Sequence, residues 1–232
     1  MTTPLVVERP LHPSPSRGVQ WVRRLGILVI AVAVLLVGYL FIGWPWLSRW
    51  GATAEEAAMP LPGDELVADA PLQTTRAITI RATGDEIYPW LVQMGVGRAG
   101  LYSYEWLENL IGLKVENADR VHPEWQDTQP GDFMRYTPLD YPIAPGPGMW
   151  VEAMEPGRAL VTCNGLEDGR PETCTSSITY VLQQQADGTT RLIVRDRFVG
   201  GGPAKLWQAI PFIMERGQLL GLRRVIESTL GR

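Results

Sequence analysis

From Leu25 to Ser48 the chain reads LGILVIAVAVLLVGYLFIGWPWLS, with no Asp, Glu, Lys or Arg. As a helix rising about 1.5 Å per residue it would span about 36 Å, more than the ~30 Å of a bilayer hydrocarbon core. Trp44, Trp46 and Trp50 cluster at its far end, where amphipathic rings favour the membrane interface; Tyr39 lies nearer the middle. Arg9, Arg17, Arg23 and Arg24 precede the run, whereas only Arg49 follows closely, before Glu55 and Glu56. The positive-inside rule then predicts a single-pass anchor in the cell membrane, with the N-terminus cytoplasmic and the C-terminal part extracytoplasmic. A buried core helix and a cleaved leader are the alternatives. Ala52-Thr53-Ala54 resembles a cleavage site, but the run is longer than an ordinary leader core and its basic tail is long.

Outside residues 1–50 the chain holds 16 basic and 24 acidic residues, a formal net charge of −8. That excludes broad phosphate neutralisation, so no nucleic-acid partner is expected, nor general adhesion to anionic lipid. Cys163 and Cys174 flank the turn-rich NGLEDGRPET. Near a hairpin end they could form a disulfide if exported, or remain two separate small core residues. With two His, His12 and His122, and no second Cys pair, no metal site is expected, and no cofactor.

Residues 1–24 read as a tail, 25–48 as the anchor, 49–72 as a linker and 73–232 as the folded domain. TTRAITIRA (74–82) alternates as a strand. Thr83 and Glu86 form a capping box that opens a helix through about Met94, bent by Pro89. Ser103 is the expected cap of a second helix ending at Gly112. DFMRYT, GMWVEAME, RALVTC, TSSITYVLQQQ and TTRLIVRDRFV then read as strands, with turns at Pro156-Gly157 and Asp187-Gly188. A long amphipathic segment from about Pro203 to Leu230 closes the chain, with Gly217 and Gly221 expected to loosen its middle. The order predicts an α+β fold: a curved antiparallel sheet with the terminal helix across its concave face and a cavity between them.

Gly95-Val96-Gly97-Arg98-Ala99-Gly100 has the GxGxxG spacing of dinucleotide sites. The preceding segment is capped as a helix and the following one is short, so the βαβ context is missing. The glycines are expected instead to turn the chain sharply between two helices.

The run Trp90-x-x-Gln93-Met94-Gly95-x-x-Arg98-Ala99-Gly100-x-Tyr102-Ser103-Tyr104, with NADRVHPEWQDTQPGDFMRY after it, resembles a bacterial branch of the SRPBCC superfamily, the START-like, polyketide cyclase-like helix-grip group. The likeness covers about residues 73–232. It implies a helix-grip fold around an apolar cavity for lipids or other hydrophobic molecules, without shared catalytic residues. Candidate ligand-binding residues are Trp90, Gln93, Arg98, Tyr102, Tyr104, Trp106, Trp150 and Trp207. For each aromatic the alternative is core packing, and for Arg98 and Gln93 a brace of the loop. Arg195 and Arg197 share a strand face with Ile193, either lining the cavity or facing solvent. His122, Glu124 and Asp127 form the one acid–base cluster, on an expected surface loop, and no catalytic residue is assigned. The leading expectation is a membrane-anchored binding module for a hydrophobic small molecule or lipid. A cyclase- or hydratase-like enzyme, or an interaction protein with a collapsed cavity, are the alternatives.

Overall fold

A computed structural model describes residues 17–142, 147–200 and 204–232. The chain divides into two compact units, Met1–Gly43 and Trp44–Arg232. In the first, α1 runs Arg17–Gly38 and passes into a π-helical turn, Tyr39–Gly43. The helix therefore begins inside the expected tail; residues 1–16 and His12 lie outside the described residues. Among the described residues one helical stretch, Arg23–Ser48, is long and apolar enough to cross a membrane.

The second unit opens with α2 (Trp44–Ser48) and α3 (Ala54–Ala58), followed by a 3-10 turn at Asp64–Val67. Segment 49–72, read from sequence as a linker, is thus folded structure. Thr53 and Glu56 make a full capping box for α3. Leu61 packs with Ala77, Ala159, Val181 and Ile193 in a small core on one sheet face.

Six antiparallel strands follow: β1 (Leu72–Ile80), β2 (Phe133–Arg135), β3 (Pro147–Glu155), β4 (Ala159–Leu166), β5 (Ser176–Gln184) and β6 (Thr190–Phe198). Their order is β1-β6-β5-β4-β3-β2, so the first strand closes against the last and the rest form a meander. Every strand expected from alternation is present. The Asp187-Gly188 turn joins β5 to β6, and a β-bulge between Val151 and Ala153 bends β3.

Between β1 and β2 lie α4 (Gly84–Val92) and α5 (Glu105–Leu110). Thr83 caps α4 as its capping box predicts. Ser103 does not cap α5: Tyr104 holds that position, and the Ser103 hydroxyl donates to the Met214 carbonyl. After α6 (Ala204–Trp207) the long α7 (Ala209–Thr229) buries Phe212, Leu219, Leu222 and Ile226. The last three join Ile78, Ile80, Leu192, Val194, Tyr180 and the α4 residues in the main core. Gly221 does not loosen α7. A Cβ there would collide with the Tyr102 carbonyl, so the glycine lets helix and loop touch.

The parity of β6 settles its arginines. Leu192 and Val194 face the main core while Ile193 faces the small one. Arg195 and Arg197 therefore point away from α7, yet Arg195 is only 2% exposed. It donates to the carbonyls of Glu56, Ala57 and Met59 and pairs with Asp64 at 2.8 Å. Both arginines clamp the 49–72 segment to the sheet; they neither line the cavity nor face open solvent. Cys163 and Cys174 form a disulfide with their Cα atoms 5.7 Å apart.

Candidate functional site

Sheet and α7 do not close on each other along their whole length. Near the N-terminal half of α7 they leave a cavity of about 430 Å³, within the size range of small-molecule sites. Its apolar wall comes from Leu101, Leu107 and Leu113 on one side and Ile178, Pro211 and Met214 on the other. Ile111 and Ile210 also line it and are 51% and 64% exposed, so they stand at its mouth.

The polar groups of the wall sit where alternation should place apolar side chains. In β1 the inward positions are Thr74, Arg76, Ile78 and Ile80, and in β6 they are Leu192, Val194 and Asp196. On α7 the buried stripe Phe212, Leu219, Leu222, Ile226 includes Glu215 by helical spacing. Three charged residues on three elements are thus directed to one point. Arg76 is fully buried; it pairs with Glu215 and, at 3.5 Å, with Asp196. It also donates to the Leu47 carbonyl at 2.8 Å and lies 5.3 Å from the Phe212 ring centroid. Burial pushes the Glu215 carboxyl well above its ordinary range, and the Asp196 carboxylate adds to this, against the pull of Arg76. Asp196 Oδ1 and Glu215 Oε1 have no hydrogen-bond donor.

Two tyrosines complete this end. Tyr180 is 1% exposed and its hydroxyl donates to Gln218 Oε1 at 3.3 Å. Burial raises the Tyr136 and Tyr180 phenols, which stay protonated. Glu108, on α5, is the second acidic feature. It is 0% exposed, lines the cavity, and neither carboxylate oxygen has a partner. Desolvation, helped by Glu105, raises its carboxyl to about 7.

None of the eight residues proposed from sequence lines this cavity. Trp90 and Tyr102 are buried edge-to-face, ring centroids 5.9 Å apart. Gln93 is a junction: it donates to the Tyr102 hydroxyl at 2.6 Å and the Arg120 carbonyl at 3.0 Å, and accepts from the His122 amide at 2.9 Å. Arg98 braces the loop through the Trp125 carbonyl and Thr128 Oγ1, and burial lowers its pKa. The glycine loop does the turning expected of it: Gly95, Gly97 and Gly100 all have positive φ, and Gly95 and Gly100 bridge each other. Tyr102, Tyr104 and Trp106 line instead a surface groove of about 710 Å³ beside α7. That groove is larger but carries Glu105, Asp119 and Arg224, so water competes for whatever enters. Trp106 and Trp207 are 69% and 72% exposed. Trp150 packs on Phe133 and donates to the Leu166 carbonyl, on the sheet face opposite Met149 and Val151. His122 pairs with exposed Glu124 and stacks on Trp125 at the surface.

No family model matches the chain, and no curated protein matches it. Among solved structures, similar chains include the Aha1 dimer from Colwellia psychrerythraea, 14% identical over 67% of this chain and 96% of that one, with a TM-score of 0.40. DynU16, from the dynemicin biosynthetic locus, is 14% identical over 68% of this chain and 48% of its own, with a TM-score of 0.41. An HSP90 activator from Plasmodium falciparum is 12% identical over 69% and 96%, with a TM-score of 0.38. Likeness at this level carries no argument about activity. The strand order, the pair of short helices between β1 and β2 and the gripping C-terminal helix establish the class directly: this is an α+β domain of helix-grip type with an apolar cavity between sheet and helix.

Proposed function

We propose that the chain is a membrane-anchored binding module that holds a hydrophobic small molecule or single-chain lipid between its sheet and α7. The observation that carries this is the 430 Å³ cavity with its largely apolar wall. Burying an alkyl chain there gains about 0.8 kcal/mol per methylene.

Anchorage is supported by the charge-free run from Leu25 to Ser48 and by the contacts of the tryptophans at its end. Trp46 and Trp50 stack edge-on against Phe212 of α7, and Lys205 lies over the Trp44 ring. The end of the apolar run is therefore packed on the same helix that forms the cavity mouth. Ile210 on α7 and Ile111 just after α5 stand at that mouth, and Leu206 and Trp207 on α6, Ile213 on α7 and Leu110 on α5 are likewise exposed and apolar. Exposed apolar side chains of this kind favour a hydrophobic covering, which a membrane supplies.

The acidic groups favour one other reading, a cyclase- or hydratase-like enzyme. Asp196 and Glu215 are engaged by Arg76, which leaves Glu108 as the single uncommitted acid among the cavity residues, and one acid suits orientation of a ligand better than a proton relay. The test is photocrosslinking of the full chain in nanodiscs with a diazirine-bearing decanol. Adducts on peptides containing Leu107, Ile178 or Met214 support the binding module. Adducts confined to Leu25–Ser48 refute it.

A further inference from the structure

We propose that the cavity selects an amphiphile whose polar end is a protonated amine, with Glu108 as its counter-ion. This deepens the binding reading and rests on it. Four oxygens among the cavity-lining carboxyls lack a donor: both of Glu108, Oδ1 of Asp196 and Oε1 of Glu215. The buried cation nearby, Arg76, is already engaged by Asp196, Glu215 and the Leu47 carbonyl. It does not line the cavity.

Glu108 is the decisive group. A carboxyl at 0% exposure with no partner is costly as an ion, and nothing in α5 or the sheet relieves it. The other polar groups of the cavity are engaged elsewhere or bring no positive charge: Ser103 gives its hydroxyl to Met214, Tyr180 its own to Gln218, Gln218 its amide to Met94 Sδ, Asp196 and Glu215 pair with Arg76, Tyr136 is a neutral phenol, and Glu105 on the same helix adds negative charge. An incoming ammonium supplies the missing donors and the compensating charge together. A carboxylate brings no donor to the unpartnered Glu108 oxygens, and an alcohol could satisfy one acceptor without neutralising it. The net charge of −8 on the chain beyond residue 50 also draws cations toward the domain. Burial raises Glu108 to about 7, so amine binding near neutral pH must release a proton as the carboxyl ionises.

The experiment is competition for the diazirine-decanol crosslink, in full-chain nanodiscs, by decylamine, decanol and decanoate. Each competitor is given either from buffer or preloaded in the bilayer, which separates a soluble amphiphile from a membrane lipid as the source. Decylamine is expected to compete at least tenfold better than decanol, and decanoate worst. The preference should shrink below pH 6, and Glu108→Gln should abolish it. Equal competition by amine and alcohol, or an amine preference that Glu108→Gln leaves intact, overturns the proposal while the binding module stands. Absence of any cavity crosslink overturns the binding module itself. If Glu108→Gln does not fold, the headgroup order and its pH profile in the unaltered chain decide the matter.

Discussion

Glu108→Gln also tests the electrostatic account of the cavity without any ligand. In the folded chain the Glu108 carboxyl lies at about 7, raised first by burial and then by Glu105. In the unfolded chain it returns to about 4.3. Between those values the native state holds a proton that the unfolded state has lost, so stability present below this window declines as pH rises through it. At about 1.4 kcal/mol per pKa unit, the group removes about 3 kcal/mol between pH 4 and pH 8. Gln keeps the shape and cannot ionise. The variant should be close to wild type at pH 4 and more stable by up to about 3 kcal/mol at pH 8. Glu215 titrates in the same direction but is present in both proteins, so the difference isolates Glu108. Urea unfolding in nanodiscs, followed by tryptophan fluorescence at pH 4, 6 and 8, measures it. Parallel stability curves for the two proteins would show that Glu108 is not buried as an unpaired acid.

Other expectations come from packing. Gly221→Ala places a methyl against the Tyr102 carbonyl and should cost about 2–3 kcal/mol, read as a lower urea midpoint with an unchanged slope. Arg195→Met removes four hydrogen bonds to 56–64 while keeping the side-chain volume, so limited proteolysis should cut first within 54–68. Replacing Cys163 and Cys174 with Ser opens a loop of sequence separation 11 and should lower stability by about 2–3 kcal/mol. The crosslinked decanol should still reach the cavity in that variant, since neither cysteine lines it.

Much of the fold is legible because it is written in local periodicities. Six strands, the Thr83 capping box and the Asp187-Gly188 hairpin each come from a few consecutive residues. The 49–72 segment is not, although Thr53 and Glu56 carry the same capping signal as Thr83 and Glu86. Its helix is short and its burial depends on Arg195, 131 positions beyond Asp64, a partner that no local window contains. Ser103 misleads for the same reason: its hydroxyl goes to Met214, not to the helix beside it.

The site is the least legible part. Residues that stand out in the sequence, Trp90, Gln93, Arg98 and Tyr102, frame the glycine loop and brace it against its neighbouring segments. The residues of the cavity end are ordinary in type and unusual only in register. Arg76, Asp196 and Glu215 each occupy an inward position that alternation or helical spacing reserves for apolar side chains. Reading Arg195 and Arg197 as outward already places Asp196 inward, so that signal is present in the sequence. Glu108 offers none, since the face α5 turns to the cavity is set by the distant strands β5 and β6 and by α7.

The most direct measurement is native mass spectrometry of the full chain released from its own membrane, beside a Met214→Trp variant that fills the cavity. A bound small molecule on the wild-type chain, absent from the variant, is the predicted result. A wild-type chain that arrives empty, or an adduct that the added indole does not displace, contradicts a ligand held between sheet and helix.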